Sequence, residues 1–168
     1  TAFSDTTIET LVGLWTSVDG LTNTRRENLA AELAKQQANQ ALCQEFADLA
    51  KTFASDCSEA SKFLSSVSGS SDEQLKQTNQ EQAKVAGWAS TLDQLQQLNQ
   101  RIEDAQIAEN PYTEHSLDSL KNNWISLNTL LKEKVTALEK EVLARSDTGL
   151  SPDQVKEFKE CFSHFDQD

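Results

Sequence analysis

The sequence contains few residues that interrupt helices and few that form covalent or metal sites. Its 168 residues include five glycines, two prolines and three cysteines, and methionine is absent. Glycine and proline interrupt helices more strongly than other residues, so their scarcity favours long helices. Because methionine is missing even at position 1, we expect the sequence to be part of a longer chain.

Basic residues are also in short supply. The chain has 15 lysines and arginines against 27 acidic residues, which gives a net charge of −12. Nucleic acids and anionic membranes would repel such a chain, so we expect neither as a partner. No apolar run approaches the ~18 residues of a membrane-spanning helix, and no signal peptide is present. The sequence therefore predicts a soluble, cytosolic protein with no membrane span.

Motifs for catalysis are missing as well. The two histidines, His115 and His164, are far apart in the sequence and neither accompanies a nucleophile motif. There is no nucleophile elbow, phosphate-binding loop or zinc-protease motif. The three cysteines cannot all pair, and Cys43 and Cys57 lie on an apolar stripe where a thiol acts as a small hydrophobe. We expect no enzyme activity and no cofactor, and we expect the three tryptophans to be core residues.

The dominant feature is an apolar stripe over residues 6–67 that keeps one heptad register. Such a repeat of about 3.5 residues predicts one long helix. The a positions are Ile8, Trp15, Thr22, Leu29, Gln36, Cys43, Ala50, Cys57 and Leu64, and the d positions are Leu11, Val18, Arg25, Glu32, Asn39, Phe46, Phe53, Ala60 and Val67. Between Thr22 and Asn39 the stripe becomes polar. This pattern predicts one helix that serves two bundles in succession; the alternative is a single long coiled coil with a polar middle.

The following segments are predicted to fold back along this helix. Thr6 with Glu9 and Ser71 with Gln74 are capping-box pairs, which start the first and second helices. The first helix should end near Gly69, and the second should continue to about Glu109, before the breaker sequence 110–112. A third helix should start at Ser116. Short connections make successive helices antiparallel, so residues 40–146 are predicted to form an elongated three-helix bundle in an all-α protein.

The last stretch resembles the start of an EF-hand. Residues 150–155 combine an N-cap serine, Ser151, with a proline at the first helical position and a capping glutamine. The amphipathic helix that follows leads into Asp166 and Asp168, which would be loop positions 1 and 3 of a calcium site. Two carboxylates cannot supply the 6–8 oxygens that calcium requires. We therefore expect the metal site at Asp166 and Asp168 to be incomplete and unoccupied in this chain.

Several segments together resemble the α-actinin family, over nearly the whole chain. They are residues 25–27, 32–39, 95–107, 123–124, 141–145, 149–154 and 157–166. The junction into the EF-hand is the most specific of them. Spectrin has a similar order of repeat and EF-hand and is a close rival. One departure is that this family usually carries a tryptophan in the first helix of a repeat, where this chain offers Phe53 and Cys57.

The resemblance implies a division into three parts. Residues 1–35 would be the last helix of a preceding spectrin-like repeat and a connector, residues 36–146 a three-helix repeat, and residues 147–168 a neck and the first helix of a truncated EF-hand. The implied function is that of a structural rod and antiparallel dimerisation segment of an actin cross-linking protein. Its implied partners are a second copy of the parent chain, and actin filaments through domains absent here. Calcium would act in the parent protein. The alternatives are a calcium-responsive regulatory module and a docking scaffold of the spectrin or plakin type.

Overall fold

The computed structural model describes residues 7–149 and 152–165, and in these ranges the chain is helical with no strand. The described residues form five helices, in chain order α1 Ile8–Ser66, α2 Ser71–Gly87, α3 Ala89–Asp104, α4 Leu117–Thr148 and α5 Pro152–Phe165. The predicted all-α class is confirmed. Leu150, Ser151 and the two acidic residues Asp166 and Asp168 lie outside the described residues, so the N-cap of α5 and the predicted metal site remain predictions.

The long first helix is confirmed as one uninterrupted element. α1 has 59 residues, which makes a rod of about 88 Å. Its N-cap is Thr7, whose hydroxyl accepts a hydrogen bond from the Thr10 backbone N–H at 3.2 Å. We expected a cap at Thr6, so α1 begins one residue later than predicted. The polar positions between Thr22 and Asn39 do not interrupt the helix, because they change only the side chains on the stripe and not the backbone hydrogen bonds.

The predicted three-helix bundle is also confirmed, and it uses only the C-terminal part of α1. This part packs against α2 and α3, which run antiparallel to it, and against α4, which returns. The buried core begins at Leu42 and contains Leu42, Phe46, Ala50, Phe53, Cys57, Ala60, Val85, Leu92, Leu95, Leu98, Ile102, Leu120, Leu127 and Leu131. The α1 members are spaced by three and four residues, which is the spacing of one helix face.

The prediction of a single second helix was wrong at two points. Trp88 separates α2 from α3, and its N–H bonds to the Val85 carbonyl at 3.2 Å in a tighter turn. Gly87 favours this interruption, because glycine has low helix propensity. Further on, α3 ends at Asp104 and not near Glu109, because Gln106 adopts a left-handed φ of 57°. The N–H groups of Gln106 and Ile107 then bond to the carbonyls of Glu103 and Ile102, as in a Schellman motif.

A capping box closes the turn between α1 and α2, one residue earlier than predicted. Ser70 is the N-cap; its hydroxyl accepts from the Glu73 N–H at 3.3 Å, and its own N–H donates to Glu73 Oε2 at 3.0 Å. Gly69 precedes it with a φ of +114°, and a Cβ there would lie 2.8 Å from Glu73 Oε2. Only glycine fits this position without strain. Hydrogen bonding to the Glu73 carboxylate, first from the Ser70 backbone N–H and then from the Ser70 side chain, lowers the pKa of Glu73.

The two ends of α4 lie close to the positions that the sequence predicts. Ser116 caps α4 as predicted, because its hydroxyl accepts from the Ser119 N–H at 3.2 Å. α4 ends at Thr148, and Gly149 follows in the left-handed conformation with a φ of 59°. A left-handed glycine after the last helical residue is a common helix stop. The neck between α4 and α5 therefore begins at a defined helix end.

The lowered pKa of Glu73 predicts a dependence of stability on pH. Its stabilisation should be complete above the ordinary glutamate pKa of about 4.3, and should be lost as the pH falls through the lower pKa of the folded protein. We expect Glu73→Gln to be less stable than the native chain at pH 7, with a difference that shrinks towards pH 3. Urea unfolding at several pH values measures this, and Glu59→Gln is the control, since Glu59 is exposed on α1. A difference that stays constant with pH would contradict the role of the ionised carboxylate.

Candidate interaction surfaces

The N-terminal half of α1 extends beyond the bundle, and every residue from 7 to 38 is exposed. This half carries large apolar side chains, with exposed fractions of 80% for Ile8, 75% for Trp15 and 71% for Leu21. The others are Leu11, Val12, Leu14, Val18, Leu29 and Leu33. Ile8, Leu11, Trp15, Val18 and Leu29 occupy the same a and d positions that are buried further along the helix. We call the nine residues together the exposed stripe.

The exposed stripe is too large to be ordinary surface. Isolated apolar residues on a surface are normal, but contiguous apolar patches of several hundred Å² mark contacts with another protein element. The expectation that Trp15 is a core residue does not hold within this chain. By contrast, Trp88 and Trp124 are half-buried and pack against the bundle core. The stripe is therefore the first candidate functional surface.

A second feature lies where α1 leaves the bundle. The Asn110 side chain donates a hydrogen bond from Nδ2 to the Cys43 carbonyl at 2.9 Å, which ties the α3–α4 connection to α1. Next to this bond is an open cleft of about 540 Å³, lined by Lys35, Asn39 and Tyr112 among others. The side chain of Asn110 thus fixes the connection against α1 at the point where the exposed half begins.

The other end of the bundle is held by a contact between distant residues. Ser71, in the first turn of α2, is buried, and its hydroxyl donates to Glu141 Oε1 on α4 at 2.6 Å. The same carboxylate oxygen accepts from Arg145 Nη2 at 2.9 Å. The sequence analysis missed this contact, because Ser71 was interpreted only as a cap and Glu141 is 70 residues away. The contact joins the α1–α2 turn to the last turns of α4, near the neck.

No metal-binding cluster of side chains is found in the part of the chain that the structure describes. No group of three or more histidine, cysteine, aspartate or glutamate side chains there could hold a metal ion. His115 lies in the α3–α4 connection and His164 in α5. Cys43 and Cys57 are buried and reduced, Cys161 is exposed, and burial raises the pKa of both buried thiols. None of the described helices is apolar enough over a sufficient length to cross a membrane.

The fold is an elongated three-helix bundle whose first helix extends far beyond it. This architecture is that of a helical rod protein. Residues 41–140 match the family model of the spectrin repeat. The chain belongs to the spectrin-repeat family. This match begins where the side chains of α1 become buried.

Comparison with known proteins points to one group of relatives. The chain is 36% identical over 169 residues to alpha-actinin A of Dictyostelium discoideum, and the match covers 99% of this chain and 19% of the relative. It is 28% identical to the sarcomeric alpha-actinin of Drosophila melanogaster, over 91% of this chain and 17% of the relative. It is also 28% identical to alpha-actinin-4 of Rattus norvegicus, over 99% of this chain and 19% of the relative. The chain thus spans less than a fifth of the length of each of these relatives.

The contrast between the buried core of the bundle and the exposed half of α1 predicts different effects of the same substitution. Leu95→Ala removes a side chain that is 0% exposed, whereas Leu33→Ala removes one that is 59% exposed. We expect the first to lower the free energy of unfolding by about 2–5 kcal/mol and the second to change it by no more than about 0.5 kcal/mol. Urea unfolding followed by circular dichroism measures both. A large loss for Leu33→Ala would mean that the exposed stripe contributes to the stability of the isolated chain.

Proposed function

We propose that this chain is a structural rod and spacer segment of a longer protein that cross-links actin filaments. The observation that carries the proposal is the exposed stripe, which continues the heptad register of the buried core along one unbroken helix. A surface of this kind requires further helices to cover it. The similarity to alpha-actinins over nearly the whole chain supports the assignment to an actin cross-linking protein.

The division of the chain follows from the same observation. Residues 1–35 are the last helix of a preceding repeat and a connector, and residues 36–146 are a complete repeat. Two further helices of the preceding repeat cover the exposed stripe, as α4 and the α2–α3 pair cover the C-terminal half of α1. Residues 147–168 are the neck and the first helix of an EF-hand. The exposure of residues 7–38 and the start of the core at Leu42 support this division.

The mechanism of such a spacer is mechanical. Where two bundles share one helix, bending at the junction must stretch or break backbone hydrogen bonds within that helix. A loop at the same place would bend by rotation about its backbone dihedrals at little cost. The contact between Asn110 and the Cys43 carbonyl stiffens the bundle side of this junction. The spacer therefore holds the ends of the rod at a fixed distance.

The same rod pairs with a second copy of the parent protein in an antiparallel dimer. Its net charge of −12 disfavours nucleic acid and anionic membranes as partners. The parent protein acts in the cytoplasm, at the cytoskeleton, and this segment has no catalytic role. Asp166 and Asp168 are the first ligands of an EF-hand loop that continues in the parent protein and takes Ca²⁺ there. A calcium-responsive head at this end would act on the rod through the neck.

The spacer role predicts that a break in the connector shortens the molecule. Leu33→Pro removes one backbone hydrogen bond of α1 and places the proline ring against the preceding turn, which kinks a helix. We expect a smaller maximum dimension in small-angle X-ray scattering, while Leu33→Ala, the matched control, keeps the native dimension. An unchanged dimension for Leu33→Pro would contradict a stiff connector.

The dimer role is tested by sedimentation equilibrium of the chain alone and mixed with the remaining rod of its parent protein. A range of about 1 to 100 µM covers dissociation constants of micromolar order. We expect the chain to associate with the remaining rod. If it stays monomeric in both samples, dimerisation is not a function of this segment, and the spacer and neck roles alone remain.

A further inference from the structure

The break between α2 and α3 lies at the mid-level of the bundle. The chain packs against different helices before and after the break. α2 packs chiefly against α4, whereas α3 packs chiefly against α1. Trp88 stands alone between the two helices, with φ of −73° and ψ of −5°. The interruption is therefore small in the backbone, but it separates two segments with different neighbours.

Two side chains donate hydrogen bonds to backbone carbonyls beside the break. The Val85 carbonyl accepts a hydrogen bond from the indole Nε1–H of Trp124 on α4 at 2.9 Å, in addition to the Trp88 N–H. The Gly87 carbonyl accepts from the Ser90 hydroxyl at 3.2 Å. The Val85 carbonyl already accepts from the Trp88 N–H, so the indole of Trp124 adds a second hydrogen bond that stabilises the interruption. The indole of Trp124 is a donor from another helix.

The Trp88 side chain packs against α1 at the same level of the bundle. Its ring lies edge-on to Phe53 of α1, with 6.2 Å between the ring centroids and an angle of 64°. The Lys84 ammonium lies 5.6 Å from the centroid of the Trp88 ring, and it also pairs with Glu81 at 3.2 Å. One side of the break is thus attached to α1 through Trp88, and the other to α4 through Trp124.

Steric crowding does not require a glycine at this place. A Cβ built on Gly87 meets no atom within 4 Å, and the φ of Gly87 is not in the left-handed region. Alanine would fit and would favour a continuous helix. Gly87 thus lowers the helix propensity at a position where the packing does not require glycine. It follows shortly after Val85, whose carbonyl accepts the hydrogen bond from Trp124.

We propose that the Gly87–Trp88 break is a hinge of the bundle and that the indole N–H of Trp124 is the latch that keeps it closed. When the latch opens, the end of α2 at Val85 separates from α4 at Trp124, while α3 stays with α1. In a rod under tension the bundle then yields first at its mid-level. This mechanical consequence rests on the rod role proposed above, whereas the latch itself is a property of the isolated chain.

Native-state hydrogen exchange of the chain with Trp124→Phe tests the latch. Phenylalanine keeps an aromatic ring and removes only the N–H donor and part of the indole. We expect the backbone amides of residues 86–92 to exchange about tenfold faster, the factor expected for one net hydrogen bond. The amides of residues 95–102 in α3 should keep their native rates. Trp15→Phe, at an exposed position, is the matched control and should change neither group.

Two results would overturn the latch. One is an exchange rate at residues 86–92 of the Trp124→Phe chain that equals the native rate. The other is an equal acceleration over the whole bundle, which would make Trp124 an ordinary packing residue.

If Trp124→Phe does not fold, Gly87→Ala tests the hinge: we expect slower exchange at residues 86–92. The control Gly20→Ala, whose added Cβ also meets no atom within 4 Å, should leave that exchange unchanged. Unchanged exchange with Gly87→Ala would rule out the hinge. None of these results depends on the scattering or sedimentation experiments, so failure of the latch and failure of the rod role remain distinguishable.

Discussion

The unbroken backbone hydrogen bonding of α1 is the constraint on which the rest of the structure depends. Because one helix of 59 residues enters the bundle and also extends beyond it, every other element takes its position from this axis. α2, α3 and α4 together cover only the part of α1 that starts near Leu42. The part before it keeps the same register and is not covered by any other described residue. A rod that transmits force through a shared helix depends on this continuity.

The mid-level of the bundle shows how the core packs with Phe53 in the first helix, where the resemblance led us to expect a tryptophan. Phe53 is 1% exposed and contacts the edge of Trp88, so an aromatic pair spans α1 and the second helix at this level. Such edge contacts add to the stabilisation from burial alone. Trp124 completes the level from α4. The aromatic residues at this level come from α1, from the break between α2 and α3, and from α4, and one of their contacts is a hydrogen bond to a backbone carbonyl.

The predictions from sequence failed by one residue at caps and by a larger margin inside the second helix. At the α1–α2 turn, Ser70 and Ser71 both suit a cap, and local pattern cannot choose between them; the choice follows from Ser71, which turns towards Glu141 on α4. The end of α3 was missed because Gln106 takes a left-handed φ that is usually left to glycine or asparagine. The contacts of Trp124 and Glu141 join residues that are 39 and 70 positions apart, and no local pattern encodes them.

The sequence by itself determined the helical class, the length and register of α1 and the buried face from Phe46 to Ala60. These follow from spacing along a single helix, since side chains three and four residues apart share a face whatever surrounds them. Only the tertiary structure decided where the second helix breaks, which serine caps α2 and which donor satisfies the Val85 carbonyl. Those outcomes depend on groups that meet across helices, because Glu141 and the Val85 carbonyl each accept a hydrogen bond from a residue that is distant in the sequence but close in space.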